Sequence, residues 1–497
     1  VYRVFCSGFD FLKGAIPMVL AVLVAVHGTV QAHAAAAIPI QNELRRLNKC
    51  YGQFVGVRIK TSDPLWQQVA AGTMSGVDAC MNVFHRGDLG SDGRISQVAG
   101  EYDPVGSQVL SRFLEFYRST FYVTDIATSA GFQPDLYDAN APAFHFLYSA
   151  FKPGEAYSNS VRRSQGLRAY RLSSRTGPRT RSVIGLKPLV QYQQGNTADG
   201  AQTILNFNPT LVETGRLIGI RPDEVSNVAT AMQWKRVSFQ GRNVSASMGA
   251  GFMGEQTYLT ANNNQDGVWA NNNGTIRIFR VWARSVLNDA LGRSLPVLRV
   301  SDVTSEVEVS SDIPWRQGRS CMSCHDSMDH AAGAIRNLAR LRTTDGGEGQ
   351  VRFWVNFVSP SEPAAPLPRT GLDNGDFWYF KRPADFKLRF RSYDGTLVDV
   401  SGTGLAALAE KIAATNDFYA SAAKRHYEFL TGISANLDDI TDPDAIVPTP
   451  AELNARNRVI ELGAALKNHQ SLPELVRSIL ALPEYLDQSA VKAGGGK

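Results

Sequence analysis

Twelve residues, Arg319 to His330 (RSCMSCHDSMDH), hold two cysteines, two histidines and two methionines in a 497-residue chain with only five Cys, eight His and eight Met. Cys321, Cys324 and His325 carry the Cys-x-x-Cys-His spacing of covalent haem attachment. Two thiols separated by two residues reach the two vinyl groups of one porphyrin, and the adjacent imidazole is then placed to ligate the iron. The expectation is one covalent haem c, with Cys321 and Cys324 as thioether links and His325 as the proximal Fe ligand. Zinc wants four ligands, and the other cysteine pair is split by about thirty residues in a different region. A redox dithiol sits at a helix start after a strand, whereas SSDIPWRQGRS before Cys321 reads as a turn-rich loop.

The opposite face of the iron is the second question. Met328 lies three positions after His325, on the same side of the same helix, so haem packing is its expected role and not distal ligation. His330 has the same problem in milder form, and no methionine follows Met328 in the chain. Three candidates for a distal Fe ligand remain, alongside an open site. Met248 and Met253 occur in the glycine-rich SASMGAGFMGEQTYL, able to approach a ring closely, and His426 occurs in the helical FYASAAKRHYEFLTG. Core filling for the methionines and solvation beside Lys424 and Arg425 for the histidine are the competing readings. Trp269, Trp282 and Trp315 are candidates to line a porphyrin pocket or to serve as ordinary core aromatics.

These residues need a scaffold, and the pattern around them is mainly α and multi-domain: a cytochrome c-like haem module with a small β-hairpin or strand insertion between helical regions. Residues 35–200 form an N-terminal helical region, since IQNELRRLNKCYGQF, LWQQVAAGTMSGVDACMNVF and VGSQVLSRFLEFYRSTFYVTDIA repeat apolar positions at three- and four-residue steps. It ends in a turn-rich stretch with seven arginines between Arg162 and Arg181, read either as a docking patch for an acidic redox partner or as a solvated loop with local ion pairs. Residues 201–345 are the haem module. There NPTLVETGRLIGI and PDEVSNVATAMQWKRV suggest helices, IRIFRVWARSVLNDALG is an amphipathic helix ending at Gly292, and Pro296 and Pro314 punctuate the approach to Cys321. The segment after His325, DSMDHAAGAIRNLARLR, suits a short helix. Residues 346–400 hold strand-like QVRFWVNFV, a proline-rich linker and a hairpin signal at Asp394-Gly395 in FKLRFRSYDGTLVDVS. Residues 401–497 return to helix, and the tail VKAGGGK reads as disordered.

Length implies two to four domains, and 43% hydrophobic with 20% charged residues is a folded composition. A net charge of +5 does not argue for nucleic acid. Residues 1–34 read as a signal peptide: Arg3 and Lys13 flank the start, AIPMVLAVLVAV is too short to span a bilayer comfortably, and small residues follow toward Ala32 or Ala34. The mature chain is therefore expected to be periplasmic or exported, without a transmembrane helix. Cys6 leaves with that segment, and an oxidising compartment favours a disulfide between Cys50 and Cys80 over two buried thiols.

The run RVWARSVLNDALGRSLP, a proline-containing approach and then CMSCHDSMD together resemble the haem-bearing segment of the planctomycete-type large mono-haem cytochrome c proteins. GFMGEQTYLTANN is similar to that family's preceding loop, YDGTLVDVSGTGLAALAEKI and KRHYEFLTGI to its following domain, and LVRSILALPEY to a frequent ending, so the resemblance spans roughly residues 240–490. His330 stands where the family pattern has proline, and AAGAIRNLARL replaces a phenylalanine-rich continuation. The resemblance implies a periplasmic mono-haem cytochrome and carries Met328 and Asp329 with the haem triad. It names no reaction.

Three functions follow as expectations. The first is one-electron transfer to a redox partner protein, for which a single haem suffices. The second is a haem enzyme with an open or weakly ligated distal site, peroxidase-like or acting on a small oxidant. The third is a haem-bearing structural or assembly subunit of a larger complex. No glycine-rich dinucleotide or phosphate loop stands in the strand-to-helix context that such a site requires, and the zincin and nucleophile-elbow motifs are absent from the sequence.

Overall fold

The computed structural model describes residues 40–121, 138–172, 182–189, 191–192, 244–245, 247–262, 279–311, 314–345, 349–356 and 383–490. The expected leader, the helices expected within 208–237, Trp269, the proline-rich 359–375 and the tail lie outside them.

The N-terminal helices are α1 (Ile40–Val55), α2 (Gly76–His85), α3 (Pro104–Arg118) and α4 (Ala141–Phe151). In α1 the apolar positions Leu47, Cys50, Tyr51 and Phe54 recur at three- and four-residue steps and all face inward. Capping fixes where the next helices begin: Ser75 accepts from the Asp78 amide at 3.0 Å, and Asp103 accepts from the Val105 amide at 2.9 Å ahead of Pro104. Cys50 and Cys80 are joined as a disulfide across α1 and α2, with Cα atoms 5.9 Å apart. Beside it, Phe54, Phe84, Phe113 and Phe151 pack ring against ring, Phe84 and Phe151 stacked at 4.6 Å.

The arginine-rich stretch is not the loop expected. It carries the antiparallel pair β1 (Gly166–Arg171) and β2 (Val183–Leu189), registered Gly166 to Leu189, with an irregularity at Tyr170/Arg171. Arg163 and Arg171 pair with Glu155 and Asp138 from the same N-terminal region, and Arg162 pairs with the distant Glu410, so ion pairs engage these three arginines.

Helix α5 (Arg280–Leu291) ends at Gly292 as its pattern predicts, and α6 (Arg319–Ala331) carries the Cys-x-x-Cys-His residues. Here the expected helix is too long. Helix α6 stops at Ala331, a 3-10 turn spans Ala332–Ile335, and Leu338–Asp345 is strand β3, paired antiparallel with β4 (Gly349–Asn356). Close packing is the reason: a Cβ on Gly333 would sit 2.1 Å from the Asp385 carbonyl oxygen, and Arg336 donates to that same oxygen at 2.9 Å. The chain is drawn against strand β5 (Asp385–Arg391) and cannot continue as helix. β5 and β6 (Leu397–Thr403) form the expected hairpin around Asp394-Gly395, registered Arg391 to Leu397. All strand pairs among the described residues are separate two-stranded ribbons.

The C-terminal helices are α7 (Leu405–Ala414), α8 (Asn416–Thr431), α9 (Pro450–His469) and α10 (Leu472–Ala481). Thr449 and Glu452 close a reciprocal capping box on α9. These helices do not stand apart from the N-terminal ones. Phe429 stacks on Phe116 at 4.3 Å, Gln53 donates to the Leu430 carbonyl at 2.9 Å, and Tyr485 donates to Gln53 at 2.9 Å. The two ends of the chain therefore share one apolar core. No helix among the described residues is long and apolar enough to cross a membrane.

Candidate haem-attachment site

Helix α6 has two unlike faces. Cys321, Cys324, His325 and Met328 recur at three- and four-residue steps and form one stripe, which is exposed at Cys321 and half-buried at the other three. Met322, Ser323, Asp326 and Ser327 form the buried opposite face, and Asp329, also buried, flanks the stripe one turn beyond His325. That face is fastened by polar contacts: Ser327 donates to the Arg389 carbonyl at 2.6 Å, and the Arg389 guanidinium pairs with Asp326 at 2.7 Å. Two buried partners outweigh desolvation there. Burial alone raises the Asp326 carboxyl, but His330 and Arg389 hold it below the usual carboxylate range.

The proximal candidate is held in a defined pose. The Trp315 ring, from the 3-10 turn Pro314–Gln317, stacks nearly parallel on the His325 imidazole, centroids 4.3 Å apart and planes 13° apart. Arg280, the first residue of α5, lies over the Trp315 ring at 4.9 Å and makes a two-pronged pair with Asp329, Nη2 to Oδ2 at 2.9 Å. Asp329 Oδ2 is in turn 3.6 Å from His325 Nδ1. That nitrogen is sealed from solvent without a hydrogen bond, whereas Nε2 is not sealed. The ring therefore turns Nδ1 toward protein and leaves Nε2 on the open stripe with the thiols.

This arrangement fits a covalent porphyrin. The attachment side chains sit on the less buried stripe of α6, with Cys321 exposed and Cys324, His325 and Met328 half-buried, so a flat apolar group can be attached from the surface side. The orphaned Nδ1 has a carboxylate next to it, the usual outer partner of a metal-bound imidazole. Burial pushes the Cys324 thiol up, so it is held as a thiol and not a thiolate. Among the described residues no cluster of three His, Cys, Asp or Glu side chains is arranged to hold a metal ion by itself.

The distal candidates lie elsewhere. His426, on α8, is buried with both ring nitrogens engaged: Nδ1–H donates to the Ala422 carbonyl at 2.8 Å, so Nε2 accepts from the Tyr117 hydroxyl at 3.0 Å. Burial depresses it to about 4, leaving a neutral core imidazole and not the solvated residue its neighbours Lys424 and Arg425 suggest. Met253 is fully buried in the 3-10 turn Gly251–Gly254, and its carbonyl accepts from Trp282 Nε1 at 3.1 Å. Met248 is half-buried, 3.9 Å from Gln256 Nε2 through its sulfur. The glycines beside them do permit close approach, but to protein: a Cβ on Gly251 (φ +55°) would sit 1.9 Å from the Ser160 carbonyl oxygen. His330 contacts Asp326 at 3.2 Å on the fastened side of α6; burial opposes its charge, yet Asp326 prevails and raises its pKa.

Of the three tryptophans, Trp315 joins the site, Trp282 is core, and Trp269 lies outside the described residues. Arg280 escaped the sequence reading, because its partner is 49 residues away and nothing local marks it. Asp329 came only with the family resemblance, and its place one turn beyond His325 is the local signal that marks it. No protein-family model matches the chain, and neither a curated protein nor a solved structure matches it.

Proposed function

We propose that this protein is a mono-haem c-type cytochrome that passes one electron to a redox partner protein outside the cytoplasm. The observation carrying the proposal is the two-faced helix α6, with Cys321, Cys324, His325 and Met328 on its open stripe, the opposite face pinned by Arg389 and the flanking Asp329 by Arg280. Cys321 and Cys324 would hold the porphyrin through thioethers, His325 would ligate iron through Nε2, and Met328 would pack on the ring. The group supplies one-electron redox chemistry when bound. The chain's own part is to fix the imidazole plane with Trp315, orient Nδ1 toward Asp329, and bring the attachment face to the surface where a partner can approach. The resemblance to the planctomycete-type cytochromes rests on the motif residues and points the same way.

A second reading has one observation in its favour. His426 has no free nitrogen, and the Met253 side chain is enclosed in core. An open or weakly ligated distal side, and hence peroxidase-like chemistry, follows if the ligand is neither of these nor Met248. Optical and resonance Raman spectra of the reduced protein separate the two. A low-spin, six-coordinate iron indifferent to carbon monoxide is the result expected for electron transfer, and a high-spin iron that binds carbon monoxide overturns it.

A further inference from the structure

We propose that Asp329, clamped by Arg280, is the positioning residue that sets the electron-donating strength of His325 and so lowers the reduction potential of the site. The inference rests on His325 being the proximal ligand. It starts from a juxtaposition of three groups. Asp329 Oδ2 receives Arg280 Nη2 at 2.9 Å and lies 3.6 Å from His325 Nδ1, while Trp315 stacked on the imidazole at 4.3 Å prevents the ring from turning away.

A sealed N–H without an acceptor is costly, and among the described residues the only carboxylate against Nδ1 is that of Asp329, which is itself buried. At 3.6 Å the contact falls just outside hydrogen-bond range, as contacts at such sites do before the ligand is bound. A carboxylate that accepts the outer proton of a metal-bound imidazole makes the ring a stronger donor, which favours the more positive iron. Arg280 works in the opposite sense. By donating to both carboxylate oxygens it withdraws charge from the acceptor and limits how far His325 is polarised. The pair thus behaves as a graded control, with the two residues pulling the potential in opposite directions. A merely structural clamp has no such sign, since loss of either half would loosen the same helix contact.

The test uses the full-length holoprotein. Haem content is read by the pyridine haemochrome spectrum, and the potential by spectroelectrochemical titration, for wild type, Asp329→Asn, Arg280→Gln and Glu306→Gln. Glu306 lies on the 3-10 turn Val300–Glu306 and pairs with Arg389, not with Asp329 or Arg280, so it reports the general effect of removing a carboxylate near this helix. Asp329→Asn is expected to raise the potential and Arg280→Gln to lower it. A tenfold change in the relative stability of the two oxidation states corresponds to about 59 mV for one electron, and a shift of that order is expected. An unchanged potential in Asp329→Asn, or an equal shift in Glu306→Gln, overturns the assignment and leaves haem attachment standing. If Asp329→Asn fails to fold, Arg280→Gln decides: an unchanged or raised potential overturns it. A wild-type chain without covalent haem overturns the proposed function, and this inference with it.

Discussion

Glu255 offers a test of how the methionine-bearing turn is anchored. It follows Gly251–Gly254 directly and is almost completely buried, its Oε1 2.7 Å from His145 Nε2 and 3.1 Å from the Leu167 amide. Arg163 Nη1 lies 3.2 Å from His145 Nδ1, and a guanidinium only donates, so the imidazole carries its one proton on Nε2. Burial, together with Arg163, holds His145 well below its ordinary value, and burial pushes Glu255 up to about 8. Between the ordinary carboxyl value of 4.5 and about 8 the folded chain thus holds a proton that the unfolded chain has lost. Stability falls as pH rises through that window, by about 1.4 kcal/mol per pH unit for one proton. Glu255→Gln keeps an oxygen for both donors and removes the titration, and the His145 contribution is common to both chains. The stability of Glu255→Gln relative to wild type is therefore expected to rise by roughly 2 to 3 kcal/mol between pH 5.5 and 7.5. Urea denaturation at four pH values across that interval measures it. Parallel pH profiles for the two chains would refute the buried neutral carboxyl.

Other expectations follow from single features. Cys50→Ser with Cys80→Ser opens a cross-link of sequence separation 30, and the chain-entropy relation then gives a loss of roughly 3 to 4 kcal/mol, measured by denaturant titration; a loss below about 1 kcal/mol contradicts it. Asp417→Ala strands Arg293, which is buried against Asp417 and donates to the Leu437 carbonyl at 2.6 Å. A cost of roughly 3 to 5 kcal/mol is expected for a buried charge left unpaired, and a change within 1 kcal/mol would refute the pairing as a stabilising contact. His426→Gln is expected to lower the melting temperature, since it disturbs the Tyr117 and Ala422 contacts, while leaving the haem spectrum unchanged. A spectral change would instead place His426 at the iron.

Local pattern carried much of the fold into the sequence. The 3.6-residue periodicity of α1 and α3, the Asp394-Gly395 turn and the stop at Gly292 are short-range signals that read the same before and after folding. The Cys-x-x-Cys-His motif is legible for the same reason, because Cys321, Cys324 and His325 stand within five consecutive positions. What escaped depends on distant partners. The segment after Ala331 has helix-forming composition, but contact with the Asp385 carbonyl ends the helix and a strand follows. His426 reads as a solvated residue until Tyr117, 309 positions away, takes its nitrogen. The glycines near Met253 signal close approach, and only the fold says that the approaching group is the Ser160 backbone. Arg280 has no local mark at all, since its significance lies in Asp329 and Trp315 on other elements.

The central claim is covalent haem on Cys321 and Cys324 with His325 as ligand. It is tested most directly by expressing the chain behind a known export signal in a host competent for cytochrome c maturation and measuring haem after acid-acetone extraction, which strips non-covalent haem. Wild type is expected to retain one haem per chain through extraction, with Cys321→Ser/Cys324→Ser retaining none and His325→Ala showing an altered iron spectrum. A wild-type chain that emerges without haem, or a double-serine variant that keeps it, would contradict the account.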